Sequence, residues 1–444
     1  MQHSISQGHV RAAILPAPAP PAALSLTLFL FVALAIASFS EALRIGPDLP
    51  IRTVVSVPLI LAVFAAALNQ GRHVIPSGWG RWIVAAWGVL LFWIFVASMF
   101  NGGNPEQVLR KFIGRQFTSF ATMCAIVWCA RGRSRHQWIM LALASLITIS
   151  AFVAIMQWLG QGWAWELPYL LNVPLQAGDI DADIIDLAPS ATLVSGLYNS
   201  AFTCSYFMVV GVALLLPMLL DIRWRFIVVV PLVIVGIGLV VLQERSAAGA
   251  AGVCILLFCV WLISTAKGKI LSAFLALLIL GAGGYFGFTW IMERAEGDGR
   301  YALRRYGDFT LGGRDEAAKT ALAMGAEHPL FGTPPGRFEA GAGVGSAGTP
   351  HNVFLNALVF HGVPGMLISL TIAGLQTWLA WSVWRVGWKR NNYAAVACAL
   401  AMVGYLLNCQ FHNASMLNGD YLGWWVTGFV IAARQNFDEE PVIG

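Results

Sequence analysis

The chain has 444 residues, of which 58% are hydrophobic and only 11% charged, about half the charged share of an ordinary water-soluble domain. That excludes a soluble enzyme and a disordered chain, and a net charge of only +5 from 27 basic and 22 acidic residues excludes a basic nucleic-acid binder. What remains is an all-α polytopic integral membrane protein, whose 18 tryptophans suit membrane interfaces.

Residues 1–21 have no cleavable signal pattern; Pro16, Pro18, Pro20 and Pro21 read as a disordered cytosolic lead-in. A bilayer-crossing helix needs about 20 apolar residues. Runs at 22–40, 53–70, 82–100, 113–130, 137–159, 201–220, 226–242, 247–265, 270–291, 352–384, 393–409 and 418–433 predict about 12 such helices. Arg115 intrudes at the start of the fourth. The tenth carries Gly362, Pro364 and Gly365, which predicts a kink over 362–365. Residues 22–291 thus hold helices 1–9, residues 292–351 form one long outer loop with short helices, residues 352–433 hold helices 10–12, and 434–444 are a cytosolic tail. The seven cysteines have no CxxC spacing, so neither a disulfide framework nor a zinc site is indicated.

Lys and Arg placement orients the chain. With the N-terminus in the cytoplasm, 14 of the 27 basic residues fall in short inner segments, six in short outer segments and seven in the long outer loop. No inner loop could fold a nucleotide-binding domain, and no phosphate-binding glycine motif follows a strand-like run. Any chemistry therefore faces outward, on a substrate that arrives already energised, such as a lipid-linked phosphate.

The long loop reads Gly312-Gly313-Arg314-Asp315-Glu316, a helical stretch through Ala326, then His328-Pro329-Leu330-Phe331-Gly332 and a glycine-rich run. It closes on Thr349-Pro350-His351-Asn352 at the mouth of the tenth span. Partial burial there keeps an imidazole neutral, the form a general base needs; a loop histidine can equally cap a helix. Gln243-Glu244-Arg245-Ser246 forms a very short outer turn. Its guanidinium could grip phosphate oxygens, or pair with Glu244, or snorkel to headgroups. Arg110, Lys111 and Arg115 begin the fourth span, and Lys111 and Arg115 share a helix face as auxiliary lipid or phosphate contacts. The acids of 179–186 include Asp179, Asp181 and Asp183 but lack the EF-hand glycine and glutamate, so they read as a solvated loop, with no metal assigned. His328, His361 and His412 are read as structural.

Taken in order, Arg245-Ser246 between apolar spans, Gly313-Arg314 in the long loop, His328-Pro329-Leu330-Phe331-Gly332, and His351-Asn352-Val353-Phe354-Leu355 leading to Gly362 and Gly365 resemble the O-antigen ligase and O-antigen polymerase superfamily of bacterial envelope glycosyltransferases. Tyr198-Asn199 before the sixth span also looks like that family's pattern; these two and Asn352 join the auxiliary contacts. The resemblance covers roughly 195–385. It implies a bacterial inner-membrane enzyme with both termini cytoplasmic and a periplasmic active site, acting without metal or cofactor. Its donor would be a glycan on undecaprenyl diphosphate and its acceptor lipid A–core or a second glycan. On this sequence, His351 would be the general base, and Arg245 and Arg314 would bind the diphosphate. Glu244 beside Arg245 departs from the pattern. Ligase and polymerase both fit. A flippase or transporter would also have twelve spans, but transporters commonly gather their charges at the midplane between related halves, whereas here they gather at the outer face.

Overall fold

The computed structural model describes residues 78–101, 105–170, 194–198, 200–265, 289–296, 314–334, 350–411 and 421–439, with a few single positions and short pieces between. Apart from turns and a two-residue antiparallel pair, Arg44–Ile45 with Leu49–Pro50, the described chain is helical. Its helices are α1 (Trp79–Phe100), α2 (Pro105–Lys111), α3 (Thr118–Cys129), α4 (Arg133–Trp158), α5 (Gly162–Leu170), α6 (Ala201–Met218), α7 (Arg225–Val241), α8 (Arg245–Thr265), α9 (Arg314–Glu327), α10 (Val353–Lys389), α11 (Tyr393–Asn408) and α12 (Tyr421–Glu439). Of the spans expected from sequence, 22–40 lies outside the described residues, as do 53–70 and 270–291 but for a few positions; the other nine each appear as a helix. Among the described residues, α1, α4, α6, α8 and α10 are long and apolar enough to cross a membrane, as a polytopic membrane protein requires. Helix α12 runs on to Glu439, into the stretch 434–444, with Arg434 and Asp438 paired at 3.0 Å.

Two local features follow from sequence chemistry. The fourth span opens with a π-helical turn, Phe112–Phe117, where Thr118 Oγ1 donates to the Ile113 carbonyl at 2.6 Å, five residues back as a π turn spaces them. The helices then pack closely through small residues. A Cβ on Gly238 of α7 would lie 2.8 Å from Ala151 of α4, and one on Gly211 of α6 would lie 2.7 Å from Ile147. Helix α6 is the centre of the bundle, 83% buried, whereas α8 is 28% buried. Outward-facing Phe226, Ile227, Val230 and Val233 on α7 are largely exposed, as lipid-facing positions are.

Helix directions sort the charges. α1 runs antiparallel to α10, with Trp79 beside Trp378 and Trp93 bonded to His361. At one end Arg133 Nη2 donates to Asn391 O at 2.8 Å, Arg390 Nη1 to Phe437 O at 3.1 Å, and Gly132 N to Asn436 Oδ1 at 2.7 Å. The opposite end carries the starts of α8, α9 and α10.

The tenth span breaks where expected. Gly362 stands at φ 70°, ψ −174° inside α10, and Pro364 falls in the first turn of the second half, where a missing N–H costs nothing. Such a break strands backbone groups, which are costly unless bonded again, and here each found partner is external. The Val359 carbonyl accepts from Thr333 N at 2.6 Å and Thr333 Oγ1 at 3.1 Å, and Val363 N donates to Pro329 O at 2.7 Å. Asn101 Nδ2 donates to Phe331 O at 2.8 Å and Phe360 O at 3.4 Å, and Trp93 Nε1 to His361 O at 2.8 Å. The Phe331 ring stacks on Trp93 and Phe100, with centroids 5.6 and 4.5 Å apart. The stretch His328–Gly332 is thus a clamp on the broken helix. Asn101→Ala, which removes the amide joining both carbonyls, lowers stability by about 1–3 kcal/mol, and Asn101→Asp, which has no donor, does not restore it. Thermal melts of the purified variants check this.

Candidate active site

Asn352 caps α10, its Oδ1 accepting from Phe354 N at 2.9 Å and Leu355 N at 3.1 Å, as an N-cap asparagine does. Its Nδ2 donates to the Gln410 carbonyl at 3.2 Å and Gln410 Oε1 at 3.3 Å, while Val353 N donates to Cys409 O at 3.2 Å. The start of α10 is therefore tied to the end of α11. These bonds engage the Asn352 side chain in holding the helix start. His351, the residue before, has φ 52°, a left-handed backbone uncommon outside glycine, though His, Asn and Asp adopt it more readily than other residues.

Helix α9 lies along the first part of α10 in the same chain direction. Ala317 and Ala321 pack with Val359 and Phe338 in a small core of their own, with Leu355, Met324 and Phe360 against it. Gly325 lets the helices meet, since a Cβ there would come within 2.5 Å of the Leu358 side chain. Pro329 then reaches Val363 in the clamp. With the far end of α9 fixed there, its first residue, Arg314, comes to the start of α10. The pKa of His351 is pushed down from 6.5 by burial first and by the Arg314 guanidinium second. Both disfavour the imidazolium, so the ring is neutral near pH 7 with one nitrogen able to accept a proton. A cation and a neutral imidazole share this corner.

Arg245 opens α8, with Gln243 at φ 56° in the preceding turn and Ala248 N bonded to Glu244 O at 3.0 Å. Helix α8 runs antiparallel to α11: Cys254 Sγ donates to Leu400 O at 3.7 Å, and Cys254 packs beneath Gly404. Continued to its start, that register carries Arg245 to the level of Gln410, the residue that holds Asn352. Glu244 is only 2% exposed. Its charge acts on Tyr306, whose phenol is pushed well up, by burial first and Glu244 second, and whose Oη donates to Val240 O at 3.3 Å. Tyr306 therefore lies against the end of α7, beside the α7–α8 turn.

The remaining expected site residues separate. Lys111 and Arg115 lie at this same end, in α2 and the π turn, where Phe112 packs on Phe95 at 5.4 Å; their side chains, together with Asn199 and the acidic run 179–186, fall outside the described residues. Tyr198 is 3% exposed and stacks on Phe207 at 4.2 Å. Buried Gln157 organises the loop before it, its Oε1 accepting from Ser195 N and Gly196 N at 3.0 and 2.9 Å. Sequence reasoning passed over Gln157, Asn101, Gln410 and Tyr306; for the first two, the signal was a polar residue at or near the end of an apolar run.

Residues 230–370 match a family model described as O-Antigen ligase. The matched segment spans α7 to just past the break in α10, and so contains Arg245, Arg314, the 328–332 clamp, His351 and Gly362. The match bears out the resemblance to the O-antigen ligase and polymerase superfamily. Among curated proteins, none matches the chain.

Proposed function

We propose that this protein is an O-antigen ligase-like glycosyltransferase, moving a glycan from undecaprenyl diphosphate to a sugar hydroxyl of lipid A–core at the periplasmic face of the bacterial inner membrane. The family match and the membrane helices support the class. The observation that carries the mechanism is Arg314 acting on a neutral His351. In the proposed step the acceptor oxygen attacks the anomeric carbon and His351 takes the hydroxyl proton. The bond to the diphosphate oxygen breaks on the opposite face, with inversion, and its electron pair leaves with the diphosphate. Arg314 and Arg245 stabilise the charge that builds there, the task a divalent cation performs elsewhere. Arg133, Arg225, Lys389, Arg390 and Arg434 at the other end of the bundle suit a cytoplasmic placement for that end.

The test supplies purified protein with undecaprenyl-diphosphate-linked glycan and lipid A–core. Glycosylated lipid A–core supports the ligase; a longer lipid-linked chain formed without lipid A–core points to a polymerase instead; neither product overturns both. Within that assay Arg314→Ala lowers transfer about 10²–10³-fold, the scale of a lost charge-stabilising donor. Arg314→Lys recovers little, because an ammonium lacks the planar fork. A lysine variant with the wild-type rate would remove the fork from the mechanism.

A further inference from the structure

The segment 289–296 follows the apolar run 270–291 and is helical, so Trp290 and Arg294, four apart, share one face. The Arg294 guanidinium lies 4.7 Å over the Trp290 ring, and Trp290 is 42% exposed, as an indole at a membrane interface is. Arg294 Nε is buried without a hydrogen-bond partner, and among the described residues the guanidinium has no ion pair. The residue as a whole is only partly buried, but a buried donor left without an acceptor is costly. Stacking on an indole covers the flat face of a guanidinium and leaves its edge donors directed outward in the plane, the fork that fits phosphate oxygens.

The position has a second tie. Leu303 N donates to the Arg294 carbonyl at 3.0 Å, and Tyr306, three residues on, bonds to Val240 just before the turn that carries Arg245. Arg294 is therefore tied to the residues that lie beside that turn, at the end of the bundle where α8, α9 and α10 begin.

We infer that Arg294, stacked on Trp290, is a third phosphate-binding guanidinium, taking a lipid-borne diphosphate where the ninth span meets the long loop. The phosphate chemistry stands on the observations above; its assignment to a polyprenyl lipid rests on the proposed function. Binding of undecaprenyl diphosphate, of undecaprenol, of phosphatidylglycerol and of inorganic diphosphate is measured by native mass spectrometry on the detergent-purified full chain. Arg294→Ala weakens undecaprenyl diphosphate at least about tenfold and leaves undecaprenol and phosphatidylglycerol unchanged. Inorganic diphosphate, which lacks the lipid tail, binds more weakly to the wild type and shows the same loss. Arg294→Lys falls between, so the comparison holds even if the alanine variant is poorly folded. Wild-type binding of undecaprenyl diphosphate by both variants overturns the inference, as does a loss confined to phosphatidylglycerol. In either case transfer by the wild type would leave the proposed function standing. A wild-type chain that neither binds undecaprenyl diphosphate nor transfers from it sinks both.

Discussion

Replacing His351 with alanine lowers glycan transfer by about 10²–10⁴-fold, the range of a lost general base, while the folded yield is unchanged. His351→Asn is the sharper variant. Asparagine tolerates the left-handed backbone at φ 52° better than most side chains, yet it cannot take a proton. Loss of activity in both variants assigns the effect to proton transfer rather than to backbone strain. The pH profile gives an independent reading. A general base works only when unprotonated, so transfer persists above the folded pKa of His351 and falls as pH drops through it. Burial and then Arg314 hold that pKa below 6.5, which places the acid limb below that of a free histidine. Removing the positive charge with Arg314→Gln lowers the rate and moves the acid limb upward, towards 6.5. An acid limb unmoved by that change means the two groups do not communicate, and the shared corner loses its meaning.

The second large effect is structural. Gly362→Ala destabilises the protein by about 3 kcal/mol or more, the scale set by a side chain in glycine-only backbone plus a steric clash. A Cβ there would overlap the Leu330 carbonyl oxygen and come within 2.6 Å of Pro329 O. Gly332→Ala behaves alike, since its φ is 76° and a Cβ would meet Val359 O at 2.5 Å. Gly374 lies further along α10 with nothing within 4 Å of an added Cβ, so Gly374→Ala is neutral or slightly stabilising. Melting temperatures of the three variants separate the cases. A Gly362→Ala protein as stable as Gly374→Ala would falsify the clamp. Transfer should fall with Gly362→Ala even in the fraction that folds, because the clamp fixes one end of α9 while Arg314 occupies the other.

Much of the architecture was legible because its causes are local. A long apolar run favours a helix whatever surrounds it, and nine of the expected runs appear as helices, five of them long and apolar enough to cross a membrane. Gly362 and Pro364 disrupt a helix by their own covalent geometry, so the kink over 362–365 was equally readable. Arg115 signalled trouble at the start of the fourth span, and a π turn stands there.

Tertiary structure decided everything that depended on who meets whom. Arg314 acts on His351 because small residues on α9 let it lie against α10, and no spacing between them encodes that influence. The stretch 328–332 carried a family signature but no legible purpose until the broken helix was seen to draw its backbone partners from it and from α1. That Asn352 caps α10 and Tyr198 stacks on Phe207 also became visible only in the fold. The amino-acid sequence thus determined a membrane-embedded helical bundle with basic side chains and an imidazole at one end, since apolar length and charge placement act residue by residue. Which of those groups share a corner was left to the fold, because hydrogen bonds and ion fields depend on distances between segments well separated in the sequence.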